Sequence, residues 1–260
     1  MPEGDTIHRA ARTLQRAIGG REVTRFSSVL PELEQADLAG RQVREVTARG
    51  KNLLVHFDDG RVLHTHMRME GSWHIYRPGE PWRKRASGAH AVLETDDWVA
   101  VCFHAPLVEL LASEDHSAQL RGLGPDLLDP DVDLDEAVRR LRGHGHLPIG
   151  EAVMRQQLVA GIGNVYKSET LFLLGLDPFR PVAESDDATL REALQRARAL
   201  MKQNLRGFPR VTRRGYDGQR LWVYGRQGKA CFRCRTPIRM RRQGTAGRST
   251  YWCPACQPSG

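Results

Sequence analysis

The stretch CFRCRTPIRMRRQGTAGRSTYWCPAC, residues 231–256, contains two Cys-x-x-Cys pairs that are separated by 18 residues. Each pair bends the chain tightly enough to direct two thiolates to one point, and four thiolates complete a tetrahedral Zn2+ site. Sulfur then fills every coordination position, so the spacing predicts one structural zinc ion per chain and no open position for a catalytic water. Two disulfides are the alternative, but nothing in the sequence indicates an oxidising compartment. The predicted ligands are Cys231, Cys234, Cys253 and Cys256.

The region around these cysteines is strongly basic. Residues 201–260 contain 14 lysines and arginines and a single acid, Asp217, whereas the whole chain of 260 residues has a net charge of +8. A solvated basic face is one explanation, but a segment so one-sided repels itself unless a polyanion lies against it, which favours nucleic acid as the partner. The side chains between the cysteine pairs suit a finger that lies along a phosphate backbone. They include Arg239, Arg241, Arg242, Arg248, Tyr251 and Trp252.

Upstream of the basic region, apolar residues recur with a helical period. A Gly-, Pro- and Asp-rich stretch at 122–133 has the composition of a linker, and four helical patterns follow it. Between the second and third patterns, Gly161-Ile162-Gly163 breaks the helix and Asn164 is expected to cap the next one, so this turn is a candidate phosphate site. A plain helical hairpin with the same caps is the alternative. The patterns cover residues 134–144, 149–160, 164–175 and 187–205.

The first half of the chain shows short alternating or apolar runs separated by turn residues, which predict a β-sandwich or barrel. Gly50-Lys51 lies at the tip of a turn between two runs and projects a lysine from a rigid platform, although most exposed turn lysines have no function. Cys102 lies in an apolar run and is expected in the core. The runs cover residues 21–29, 42–50, 52–57, 61–67, 72–76, 90–95 and 98–104.

The sequence MPEGDTIHRAARTL, residues 1–14, places an acidic tetrapeptide directly before a helical pattern. Asp5 or Thr6 is expected to cap this helix, and Gly19-Gly20 is expected to end it. No signal-peptide pattern and no run of 18 apolar residues is present, so we expect a cytoplasmic protein that is neither secreted nor inserted into a membrane. The apolar stripe of the helix consists of Ile7, Ala11, Leu14 and Ile18.

Five motifs, in register from Pro2 to Cys256, resemble the formamidopyrimidine-DNA glycosylase and endonuclease VIII (Fpg/Nei) family of bifunctional DNA glycosylase/lyases. The motifs are PEG before the first helix, RGKNLL, GIGNVYKSE, WVYGR before the finger and RSTYWCPAC at its end. The resemblance implies an α+β multidomain fold and double-stranded DNA with damaged bases or abasic sites as the partner of a monomer. The expected domains are a β-sandwich with a leading helix at 1–122, a helix-two-turn-helix domain at 123–215 and a zinc ribbon at 216–260.

The resemblance also implies a reaction centred on the N-terminus and no organic cofactor. After excision of Met1, Pro2 carries a free secondary amine, which in the family attacks C1′ of the damaged nucleotide, expels the base and holds the opened sugar as an iminium. Glu3 is the matching acid or base. Lys51 matches a turn lysine that assists β-elimination, and Arg248 matches a ribbon arginine that assists δ-elimination. The presence of all four residues disfavours the alternative of a non-catalytic damaged-DNA binding protein.

Three further residues match positions that contact DNA in the family. Asn164 matches a phosphate clamp in the helix turn, and Met69, with Arg68 beside it, matches a side chain that fills the space left by the flipped nucleotide. A core methionine is the alternative at that position. PEG favours the endonuclease VIII branch and oxidised pyrimidines, as does the stretch at 104–111, which lacks two void-filling side chains of formamidopyrimidine-type members. A preference for 8-oxoguanine or formamidopyrimidine in the same fold is the alternative.

Overall fold

The computed structural model describes residues 2–113, 118–207 and 209–259. The chain divides into two compact units, Met1–Gly122 and Leu123–Gly260. The first unit contains the sheets of the sandwich, and the second contains most of the helices together with the cysteine-rich hairpin. The expected division into three domains, with boundaries at residues 122 and 215, stays a prediction.

Two four-stranded antiparallel sheets and a leading helix form the first unit, which confirms the predicted β-sandwich class. The strand orders are β1-β6-β7-β5 in one sheet and β2-β3-β4-β8 in the other. The elements are α1 Gly4–Ile18, β1 Arg25–Ser27, β2 Val43–Arg49, β3 Asn52–Phe57, β4 Val62–His66, β5 Ser72–Tyr76, β6 Ala89–Glu94, β7 Val99–Phe103, β8 Leu107–Leu111 and the short α2 Ala118–Arg121.

The core of this unit lies between the sheets and includes the apolar stripe of α1. Alternate residues of β3, such as Leu53 and Val55, point into it, because side chains of a strand alternate between its two faces. Leu93 and Cys102 reach the same core from the other sheet. Burial raises the pKa of the Cys102 thiol, so this cysteine packs as a small apolar side chain, as predicted.

Two elements of this unit differ from the sequence-based expectation. Strand β8 pairs with β4 along its whole length, although none of the predicted strand-like runs covers residues 107–111. Helix α1 begins at Gly4 with Glu3 as its N-cap, so the prediction that Asp5 or Thr6 caps it was wrong. The Glu3 carbonyl accepts the Thr6 and Ile7 N–H groups at 2.9 and 3.2 Å, which moves the helix start toward the terminus.

Among the described residues, the second unit contains four α-helices before the hairpin, namely α3 Leu134–Arg142, α4 Ile149–Ala152, α5 Asn164–Leu173 and α6 Asp187–Gln203, and a 3-10 helix at Val182–Glu184. The helix predicted at 149–160 was wrong beyond Ala152. The Gly124 N–H donates to the Gln156 carbonyl and the Ala160 N–H to the Pro125 carbonyl, so this backbone pairs with the linker, while the Leu158 and Val159 N–H groups donate to the Arg155 carbonyl in a turn rather than in a continued helix. The apolar spacing there reflects a buried turn, because Leu158 is buried without being helical.

The predicted finger follows and contains a β-hairpin, with β9 Arg239–Gln243 antiparallel to β10 Arg248–Trp252. Its small core joins Cys231 and Cys253 to Phe172 of α5. The finger thus packs on the helical segment through the same cysteines that are predicted to bind zinc. Within the described ranges, no helix combines the length and the apolar character that crossing a membrane requires.

Candidate active site and metal centre

The N-terminal residues Pro2 and Glu3 lie at the start of α1. Pro2 is partly exposed, whereas the Glu3 side chain is fully buried at the N-cap. A helix N-terminus has a positive dipole end, which favours a carboxylate at this position. Helix α1 packs against β2 and β3, the two strands that flank the predicted lysine turn. The fold thus places the predicted nucleophile and acid on the element that contacts the strands on either side of Lys51.

Lys51 occupies the two-residue turn between β2 and β3. Gly50 before it has φ of 61°, in the left-handed region that favours glycine, as the first position of a type II′ hairpin turn requires. The strands pair up to the turn, with Arg49 opposite Asn52. The lysine is therefore carried by a short and well-defined hairpin, as the sequence predicted.

His66, at the end of β4, is a residue of this site that the sequence analysis missed. Burial, as the largest cause, and the nearby charges of Lys51, His64 and Arg68 together lower the pKa of His66 to about 4. The Arg68 N–H donates to His66 Nδ1 at 3.3 Å, which leaves the proton of the neutral ring on Nε2. His66 is thus a neutral group beside Lys51 at physiological pH. The alternation of His64 and His66 in one strand was the available signal.

The turn that follows β4 contains two methionines that differ in their exposure to solvent. Met67 is 3 % exposed and belongs to the core, whereas Met69 is 61 % exposed. Arg68 between them has φ of 43°, an uncommon value for a residue other than glycine, and the Gly71 N–H closes the turn on the Met67 carbonyl at 2.8 Å. The exposed methionine disfavours the alternative of a core methionine at position 69. The turn presents Arg68 and Met69 together.

The four predicted zinc ligands converge in the finger, where their Sγ atoms all lie within 4.8 Å of one another. Three of the Sγ–Sγ distances are 3.4, 3.5 and 3.9 Å. Zn–S bonds of about 2.3 Å in a tetrahedron give edges of about 3.8 Å, so the cluster fits a zinc ion. Burial raises the pKa of the Cys253 thiol, so zinc binding must displace its proton. The cluster is Cys231, Cys234, Cys253 and Cys256.

The start of α5 lies against β10 of the finger. Asn164 is the first residue of α5, and Gly163 is the N-cap, so the prediction that Asn164 caps the helix was wrong. Its Nδ2 instead donates to Ser249 Oγ at 3.2 Å, and its buried Oδ1 has no hydrogen-bond partner among the described residues. Ser249 directly follows the exposed Arg248. The structure thus brings the two predicted phosphate-binding residues to one edge of the second unit.

Two buried charged residues of α5 fix the finger to the helix. Lys167 Nζ donates to the Ser249 carbonyl at 3.1 Å and to Thr250 Oγ1 at 2.8 Å. The Glu169 carboxylate accepts three consecutive backbone N–H groups, those of Trp222, Val223 and Tyr224, at 2.7, 2.9 and 2.8 Å. Thr212 Oγ1 also donates to it. The motifs GIGNVYKSE and WVYGR are therefore parts of one hydrogen-bonded junction.

The sequence-predicted residues form two groups, one in each unit. Lys51, Arg68 and Met69 lie around His66 in the first unit, which also carries the N-terminal pair. Asn164, at the start of α5, and Arg248, at the start of β10, lie in the second unit, and the Asn164 side chain contacts Ser249 next to Arg248. The first unit thus carries the predicted nucleophile, a cation and a neutral histidine, and the second unit carries hydrogen-bond donors at a helix terminus that favours anions.

Comparison with known proteins matches nearly the whole chain. Residues 1–106 match the formamidopyrimidine-DNA glycosylase N-terminal domain, residues 123–212 match the formamidopyrimidine-DNA glycosylase H2TH domain, and residues 228–258 match the zinc finger found in FPG and IleRS. The last match confirms the zinc finger that the cysteine spacing predicted.

Full-length relatives and solved structures agree with these matches. The chain is 43 % identical to probable endonuclease 8 2 of Streptomyces coelicolor over 99 % of this chain and 94 % of that protein. It is 38 % identical to DNA-(apurinic or apyrimidinic site) lyase Nei2 of Mycolicibacterium smegmatis over 99 % of both. The crystal structure of Lactococcus lactis formamidopyrimidine-DNA glycosylase, bound non-covalently to DNA containing an abasic site, has the same fold, with a TM-score of 0.82 and 24 % identity over 99 % of this chain and 100 % of that one.

Proposed function

This chain belongs to the formamidopyrimidine-DNA glycosylase and endonuclease VIII family and is a DNA glycosylase and abasic-site lyase. On that premise we propose that it removes oxidised bases, pyrimidines preferentially, from double-stranded DNA through a covalent adduct at Pro2, and that it cuts the strand by β- and δ-elimination. The observation that carries the proposal is the placement of Pro2 and the buried Glu3 on α1, which packs on the strands of the Lys51 turn.

The chemistry begins with the amine that removal of Met1, which lies outside the described residues, would expose on Pro2. An α-amino group has a pKa of about 7.7 to 8.0 in model peptides, so a useful fraction is unprotonated at neutral pH. The nitrogen bonds to C1′ as the base leaves, and the sugar ring then opens with a proton to its oxygen. Glu3 is the group nearest in the chain to move that proton. The secondary amine yields an iminium, which stays cationic and draws electrons from C2′.

The iminium cation at C1′ makes the C2′ proton acidic. Removal of this proton forms a double bond between C2′ and C3′ and expels the 3′ phosphate. We assign Lys51 to this β-elimination, because the Gly50-Lys51 turn places a cation at the tip of the hairpin against which α1 packs, and His66 beside it is neutral. Arg248 then assists the loss of the 5′ phosphate in δ-elimination, since an arginine fork matches phosphate geometry.

DNA binding is assigned to the second group and to the turn after β4. Asn164 is assigned to a phosphate because it is the first residue of α5 and its Nδ2 donates to the hydroxyl of Ser249, the residue next to Arg248. The dipole of α5 favours the same anion. Met69, exposed without a core role, is suited to fill the space that the extruded nucleotide leaves, with Arg68 beside it.

The preference for pyrimidines is supported by the course of the chain after β7. In the stretch at 104–111, residues Leu107–Leu111 are engaged in β8, so they are not a free loop that could supply void-filling side chains. A panel of duplexes tests the preference. We expect faster release of thymine glycol than of 8-oxoguanine opposite cytosine. The reverse order would contradict the pyrimidine preference and favour a preference for 8-oxoguanine or formamidopyrimidine.

Borohydride trapping tests the mechanism. We expect a covalent adduct with a duplex that contains an abasic site, and peptide mapping should place it on Pro2. A matched control carries one serine between Met1 and Pro2, which turns the Pro2 nitrogen into a peptide nitrogen that is not nucleophilic. An adduct from the wild type that maps to a residue other than Pro2, or no adduct from protein that lacks Met1, would contradict the role of Pro2.

A further inference from the structure

Three polar side chains form a buried hydrogen-bonded chain behind the Lys51 turn. The His64 ring is fully buried, and its Nδ1 lies 2.8 Å from Glu109 Oε1. Its Nε2 lies 2.8 Å from Asn52 Oδ1. Asn52 is 2 % exposed, so the chain runs from a partly exposed carboxylate on β8 to a buried amide on β3. Burying such a network of polar side chains costs free energy unless each donor and acceptor in it has a hydrogen-bond partner.

The three hydrogen-bonded side chains lie on three neighbouring strands, on the face of the sheet that points away from the sandwich core. His64 of β4 is directly opposite Glu109 of β8 and opposite Leu54 of β3, so Asn52 is its diagonal neighbour. Leu53 and Leu63, which alternate with these residues, point into the core. Strand pairing alone therefore places the three polar groups within reach of one another.

Asn52 connects this chain to the lysine. Its Nδ2 donates to the Arg49 carbonyl at 3.1 Å, and only Gly50 and Lys51 lie between these two residues. The side-chain amide therefore closes the base of the turn from within the sheet. With its Oδ1 held by His64, the amide cannot rotate without breaking two hydrogen bonds, and the hairpin that carries Lys51 is held with it.

The hydrogen bonds also define where the protons are. Because Asn52 Nδ2 donates to a carbonyl, its Oδ1 accepts, so His64 Nε2 must carry a proton. His64 Nδ1 faces a carboxyl oxygen, and one proton must lie between them, either on the ring or on Glu109. The histidine and the glutamate together hold this proton with no net charge, so the chain is satisfied without an isolated buried ion.

We propose that Asn52, His64 and Glu109 are positioning residues for the lyase step, because they hold the Lys51 turn in the geometry that the β-elimination requires. The proposal rests on the proposed role of Lys51. A lysine side chain has many rotamers, so a fixed backbone at its base restricts the volume that its ammonium group can sample. A displacement of about 1 Å at a catalytic group can cost up to about 100-fold in rate.

The test is the single-turnover rate of strand cleavage at a preformed abasic site, with full-length protein that lacks Met1. Lys51→Ala tests the proposed function itself and should slow β-elimination whatever the role of His64. His64→Leu should slow the same step by about tenfold with the affinity for the duplex retained. In the Lys51→Ala background, His64→Leu should have no further effect, because its action passes through the lysine.

Two controls separate positioning from loss of structure. His56→Leu removes a histidine of the same sheet face that hydrogen bonds with Thr47 Oγ1, away from the lysine turn, and should leave the rate unchanged. Glu109→Gln should retain the rate to within about threefold, because a glutamine can donate to His64 Nδ1, whereas Glu109→Leu should lose about tenfold. Glu109 is partly exposed, so both substitutions are expected to fold.

The outcomes distinguish the two hypotheses. If Lys51→Ala cleaves as fast as the wild type, the proposed role of Lys51 fails. If Lys51→Ala is slow but His64→Leu and Glu109→Leu cleave at the wild-type rate, the positioning role is wrong and the role of Lys51 stands. Equal losses in Glu109→Gln and Glu109→Leu, or additive losses in the double variant, would also overturn the positioning role.

Discussion

Glu169 should control the stability of the junction between α5 and the finger. Its buried carboxylate accepts the N–H groups of Trp222, Val223 and Tyr224, which are 53 to 55 residues away in the chain. Glu169→Gln leaves one oxygen for Val223 and Tyr224 and places an NH2 group against the Trp222 N–H. An unsatisfied buried donor costs about 1 to 3 kcal/mol, and loss of the charge weakens the remaining bonds, so we expect a loss of about 2 to 4 kcal/mol.

Amide hydrogen exchange measures this loss locally. If the amides of residues 222–224 exchange by opening of the junction, about 2 kcal/mol corresponds to exchange that is roughly 30-fold faster, because each 1.4 kcal/mol is a factor of ten. Glu192→Gln on the exposed face of α6 is the matched control and should stay within about 0.5 kcal/mol of the wild type. Equal exchange in the two variants at these amides would refute the assignment of the junction to Glu169.

Three further outcomes are expected. Arg248→Ala should retain base excision and the β-elimination product but deplete the δ-elimination product, because the ribbon then lacks the charge that assists the second phosphate loss; gel analysis of the cleaved strand measures it. Lowering the pH from 6.5 to 4 should reduce the free energy of unfolding of the wild type by about 2 kcal/mol more than that of His66→Gln. The pKa of His66 is about 4 in the folded state and near 6.5 in the unfolded chain, so between these values the unfolded chain binds a proton at His66 that the folded protein does not. Urea unfolding at both pH values measures this difference. Removal of zinc by a chelator should abolish DNA binding, because Cys231 and Cys253 are part of the core that joins the finger to Phe172, whereas β3 and β4 should keep their protection from exchange.

Each of these outcomes has a result that would contradict it. An unchanged ratio of β to δ products would remove the assigned role of Arg248. Parallel pH profiles for the wild type and His66→Gln would show that the histidine is not held neutral by its surroundings. DNA binding that persists after the metal has been removed would show that the finger does not depend on the four-cysteine site.

The sequence determined the features that depend on local chemistry. The cysteine spacing predicts the zinc site because each Cys-x-x-Cys turn aims its two thiolates without help from distant residues. The Gly50-Lys51 turn and the break before α5 were located for the same reason, since Gly50 and Gly161 adopt positive φ angles that other residues resist. The family motifs add the expected roles of residues such as Pro2, which no local pattern would suggest.

Only the tertiary structure decided the features that depend on partners far away in the chain. The backbone at 156–160 pairs with the linker although its apolar spacing is helical, and Glu169 finds its three N–H donors more than 50 residues away. Met67 and Met69 differ by two positions in sequence, yet one is in the core and the other is exposed. His64, Asn52 and Glu109 meet because three strands pair in one register, and a side chain's neighbours across a sheet follow from that register rather than from its own sequence.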